Sequence, residues 1–160
     1  MRRLILTLLA VPLLLTLALE SAQAEWFYAD LANPPTQLIL SDTEITFYGQ
    51  RAPLTFCQPE SDFLCFSGGG LRFSVPKDSS YRATWTYDSA SYKITRREKF
   101  SMLGRELDVI FIEQRLRKDR MMFLFSPTRG LVAIISSSAP TLRMLLLENP
   151  CGFGAPPGCQ

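Results

Sequence analysis

The 160 residues contain no histidine. That removes the commonest acid/base near neutral pH, and with it every Ser-His-Asp or Cys-His arrangement for nucleophilic catalysis. Acid/base chemistry would fall to carboxylates, lysine or tyrosine. Glu44, Glu98, Glu106, Asp108 and Glu113 are available, and two carboxyl groups held about 5 to 9 Å apart would suffice for glycoside hydrolysis. The simpler reading puts these acids on solvated strand faces or beside Arg96, Arg97 and Arg115. No catalytic residue is assigned, and a carboxylate hydrolase stands as an alternative.

Cys57, Cys65, Cys151 and Cys159 form two pairs, each enclosing seven residues. Four cysteines allow three connectivities, of which closure of Cys57 with Cys65 and of Cys151 with Cys159 is entropically easiest. Each bridge would contribute roughly 2 to 3 kcal/mol in the chain-entropy model. Zinc ribbons space their ligands more closely and often use histidine, and a thiol oxidoreductase needs C-x-x-C. Structural crosslinks are therefore expected, with no metal and no cofactor.

Four further segments could touch a ligand. Gly68-Gly69-Gly70 lacks the lysine of a phosphate-binding loop and precedes a strand pattern, so it reads as a flexible turn. Arg115, Arg117, Lys118 and Arg120 make a basic hairpin tip, suited to an acidic partner or phosphate headgroups, or to keeping a strand end soluble. Trp26, Phe27 and Tyr28 either dock on the core or offer an aromatic handle to a partner. Met121 to Phe125 is an apolar run that serves as core or as the wall of a lipophilic cavity.

These residues need a scaffold and a compartment. Arg2 and Arg3, an uncharged run from Leu4 to Leu19 and the Ala22-Gln23-Ala24 triplet have the order of an export signal. Sixteen helical residues reach only ~24 Å, short of a hydrocarbon core of roughly 30 Å. We expect residues 1–24 to be cleaved, by the general route rather than the twin-arginine one. Residues 25–160 would then be a single exported domain with no transmembrane anchor. Its cysteines suit an oxidising compartment. Asn33 and Asn149 each precede proline, so no glycosylation acceptor exists, and the bacterial periplasm or exterior is the expected destination. Removing Arg2, Arg3 and Glu20 from 17 basic and 15 acidic side chains leaves a net charge of about +1, which implies no nucleic-acid partner.

From Gln37 onward short aromatic and β-branched runs alternate with turn residues. Hairpins are expected from Gln37–Leu40 with Glu44–Tyr48, from Leu54–Cys57 with Phe63–Phe66, and from Thr84–Tyr87 with Tyr92–Thr95. Leu71, Phe73 and Val75 alternate with polar neighbours as in a half-buried strand. Glu106–Arg115 is apolar on both faces and should be covered on both sides. With Met121–Phe125 and Leu131–Ile135 it forms a meander at the core. Thr141–Glu148 does not choose cleanly between helix and strand, although Ser138 or Ala139 and Pro140 could open a helix there. The tail from Cys151 to Cys159, rich in glycine and proline, is irregular.

The expected architecture is mainly β, an antiparallel barrel or strongly curved meander sheet with, at most, one short C-terminal helix. The expected function is a non-enzymatic exported module that binds a protein partner or an apolar ligand. A structural accessory of an envelope assembly is a further alternative.

Overall fold

The computed structural model describes residues 25–33, 37–78, 83–102, 104–117, 119–136 and 143–159. The expected leader, residues 1–24, lies outside them, as do Lys118, Ser138, Ala139, Pro140 and Thr141. The described chain folds into twelve strands: β1 (Trp26–Asp30), β2 (Gln37–Leu40), β3 (Glu44–Phe47), β4 (Gln50–Phe56), β5 (Phe63–Gly68) and β6 (Leu71–Pro76), followed by β7 (Thr84–Tyr87), β8 (Ala90–Met102), β9 (Arg105–Leu116), β10 (Asp119–Ser126), β11 (Gly130–Ser136) and β12 (Arg143–Leu147). All pair antiparallel in one sheet of order β6-β5-β4-β3-β2-β1-β12-β11-β10-β9-β8-β7. The mainly β, barrel-like architecture is thus the one the residue pattern predicts.

Two segments that the residue pattern left open are strands. Arg143–Leu147 is a strand and not a helix, because β1 and β11 offer it backbone partners on both edges (Leu145 opposite Asp30 and Ile134). Ladder pairing on both sides outweighs the local helix preference of leucine. Trp26–Asp30, whose three rings gave no strand signal, is β1. By pairing with β2 and β12 it joins the first half of the chain to the last strand.

The sheet rolls until its edge strands β6 and β7 come near each other. The seam is held by side chains: Arg72 Nε lies 2.7 Å from Asp88 Oδ2, and Gln114 Nε2 donates both to the Arg72 carbonyl at 2.8 Å and to the Tyr92 hydroxyl at 3.0 Å. These bonds cover an edge that would otherwise invite pairing. β8 continues well past Thr95, where the sequence pattern stopped, after a register shift between Ile94 and Arg96. β10 pairs with β9 only from Ile110 onward. The free length of the β8–β9 hairpin carries Met102 and Leu107 to a pocket they share with Val132 and Leu147. A second apolar layer on β9 explains why both of its faces are buried.

Three two-residue turns, Tyr48-Gly49, Gly69-Gly70 and Asp88-Ser89, have positive φ at both positions. Their twist matches that of the flanking strands. The triglycine is therefore a tight turn: Gly68 ends β5, and Gly69-Gly70 turns into β6.

Candidate functional site

The two ends of the barrel differ in how they are filled. At the end where β1 begins and β12 finishes, the tail folds back as a plug. Phe153, 9% exposed, stacks on Phe56 at 5.4 Å and meets Trp26 and Phe66 edge-on at 5.4 and 5.1 Å. Phe73 continues the cluster to Phe123 and Phe125. The tail backbone joins the sheet: Leu131 N–H donates to the Phe153 carbonyl at 2.8 Å and Gly152 N–H to that of Arg129 at 2.7 Å. A Cβ on Gly130 or Gly152 would collide with backbone atoms of the apposed segment, so glycine permits the close approach. Cys151 is bonded to Cys159 with Cα atoms 6.0 Å apart, and Cys57 to Cys65 at 5.2 Å across the β4–β5 hairpin. Both expected pairings are present.

At the opposite end no described residue plays the part of Phe153. A cavity of about 350 Å³ is lined there by Leu38 and Ile45, by Phe47, by Gly69 to Leu71 of the tight turn, and by Met121, Ile134, Ser136, Arg143 and Leu145. The registers explain the convergence. Met121 lies opposite Ser136, Ser136 opposite Arg143, and Ile134 opposite Leu145, and residues opposite each other in a ladder leave the sheet on one face. That face is the interior. Deeper in, Phe123 and Leu124 are fully buried, so the Met121–Phe125 run is core along most of its length and cavity wall only at Met121.

The residues singled out from the sequence are dispersed. Tyr28 is fully buried, its hydroxyl donating to the Leu131 carbonyl at 3.0 Å, and burial raises its pKa far above the usual tyrosine value. Trp26 belongs to the plug cluster, while Phe27 faces outward, half-buried, its N–H donating to Asn149 Oδ1 at 2.6 Å. Arg115, Arg117 and Arg120 are exposed around the β9–β10 turn. Arg115 Nε lies 2.7 Å from Glu113 Oε1 and holds that carboxyl below its usual range by hydrogen bonding.

The acids do not converge on a cleft. Glu44 pairs with Arg51 at 3.6 Å, Glu98 with Arg96 at 3.4 Å and Glu106 with Lys99 at 2.7 Å, all at exposed positions. Asp108 stands opposite Lys99 in the β8–β9 ladder. Among the described residues no group of three potential metal-binding side chains comes together.

Sequence reasoning missed Arg143 and the apolar lining from β2 and β3. Leu38 and Ile45 signalled strands but not what they would enclose. No protein-family model matches the chain, and comparison with curated proteins and with solved structures yields no match.

Proposed function

We propose that the protein is an exported, non-enzymatic binding module that takes an apolar ligand in the end of its barrel away from Phe153. The observation that carries this reading is the apolar cavity of about 350 Å³ at the end away from Phe153, whereas the Phe153 end keeps a smaller groove of about 260 Å³ beside the Cys57–Cys65 bridge. The larger volume lies at the lower end of the roughly 300 to 1,000 Å³ common for small-molecule sites. A carboxylate hydrolase gains no comparable support, since the candidate acids stand beside cations and do not converge on a cleft. The apolar interior is unlike the polar interior of a membrane-spanning barrel, which supports a barrel packed around its own core.

The test is binding of the neutral dye N-phenyl-1-naphthylamine to the oxidised domain, read by fluorescence. Met121→Trp fills the mouth and should abolish the enhancement while leaving the urea midpoint close to wild type. Undiminished dye binding would place the site elsewhere. For the exported part of the reading, the two disulfides and the leader pattern are the support. Protein recovered from outside the cytoplasm should have the mass of residues 25–160 less four hydrogens.

A protein partner is favoured by one observation. The half-buried side chains of Phe27, Ile39, Ile135, Met144 and Leu146 share the outer face of β1, β2, β11 and β12. Capture from the native envelope that depends on Phe27 and Met144, and not on Met121, would select this alternative.

A further inference from the structure

Among the described residues the cavity has one charged lining residue, Arg143, and one other polar side chain, Ser136. The two stand opposite each other in the β11–β12 ladder, so they leave the sheet side by side at the rim, above Leu145 and Ile134. The Arg143 guanidinium lies over the Tyr48 ring, 4.9 Å from its centroid. Stacking of this kind orients a guanidinium while leaving its N–H edge in the plane available for a fork of acceptors. None of the ion pairs between described residues includes Arg143. Asp30, buried on the same face beside Leu145, accepts from the Ala32 N–H at 2.9 Å and does not line the cavity.

Given that the cavity takes an apolar ligand, on which this step rests, we propose that its occupant is a single-chain amphiphile with a carboxylate head. The tail lies among Leu38, Ile45, Ile134 and Leu145, and the head is held by Arg143 with help from the Ser136 hydroxyl. A planar fork of donors matches a carboxylate, and hydrogen bonds between ionised partners are about twice as strong as neutral ones. A cavity of about 350 Å³ has room for one chain and not for a two-chain lipid.

The experiment is displacement of N-phenyl-1-naphthylamine from the oxidised domain by laurate, dodecanol, dodecyl phosphate and dodecyltrimethylammonium, each below its micelle concentration. Wild type, Arg143→Gln and Arg143→Lys are compared, with near-UV circular dichroism to verify folding. Laurate should displace the dye at about tenfold lower concentration than dodecanol. Arg143→Gln should erase that preference while changing dodecanol by less than about twofold, and Arg143→Lys should retain part of it. Equal displacement by laurate and dodecanol in the wild type would overturn the headgroup assignment and leave the apolar cavity standing. So would a preference that survives Arg143→Gln. Tighter binding of dodecyl phosphate or of the trimethylammonium compound would overturn the carboxylate. Failure of the dye itself to bind would overturn the cavity reading and this inference with it.

Discussion

The plugged and open ends of the barrel are built from the same strands, yet the chain invests in them differently. At the plugged end it places Phe56, Phe66 and Phe73 around Phe153 and bonds the tail backbone to β11. It also adds the crosslink that makes the tail a closed loop. At the open end the inward positions of the same strands hold Ser136 and Arg143, beside the Gly69-Gly70 turn. On the proposed reading, stability and ligand access are separated along one axis, so the plug can be tightly packed without filling the mouth.

The comparison can be broken most directly at Phe153. Phe153→Ala should cost about 3 to 5 kcal/mol in urea denaturation, as expected for a buried ring removed from a close-packed site. Phe47→Ala at the mouth should cost less than half as much, and equal costs would mean the ends are not distinct. Next in size, replacing Cys151 and Cys159 by serine should lower stability by about 2.5 kcal/mol from the loop-closure term. Dye binding at the mouth should survive, since the crosslink is at the far end.

Alkaline titration should give an effect on the order of 2 kcal/mol. Tyr92 is pushed up to about 12, chiefly by burial, and Tyr28 is raised further for the same reason. Both phenols are neutral in folded and unfolded chains below about pH 10. Above that the unfolded chain ionises first, so stability should fall from about pH 10 until the folded-state phenols ionise as well. A urea midpoint that does not fall between pH 10 and 12 would contradict the burial, and Tyr28→Phe should make the fall shallower. The smallest contrast is between glycines. Gly130→Ala, with φ of 75° and backbone against its Cβ position, should cost roughly 1 to 3 kcal/mol. Gly70→Ala has φ of 80° but open space, leaving only backbone strain of about 1 kcal/mol.

Strand positions were legible wherever apolar alternation met a turn, as in Leu71, Phe73 and Val75 or the meander from Glu106 to Ile135. Strand β1 was not, because three consecutive aromatic rings carry no period of two. The charged half of β8 was hidden too, since Arg96 to Lys99 lie exposed and show no apolar face. The candidate site was least legible. Its lining comes from β2, β3, β6, β10, β11 and β12 and from the Gly69-Gly70 turn, each contributing a few residues that look like ordinary core in isolation.

Composition and local pattern by themselves determined that histidine chemistry is absent, that cysteines close in local pairs and that the chain forms antiparallel hairpins, because these follow from residue type and short-range spacing. Where β12 pairs, that the tail enters one end of the barrel, and that Arg143 stands beside an apolar cavity were decided by the tertiary structure. Such facts depend on which distant strands share a ladder, and short-range pattern does not encode that choice.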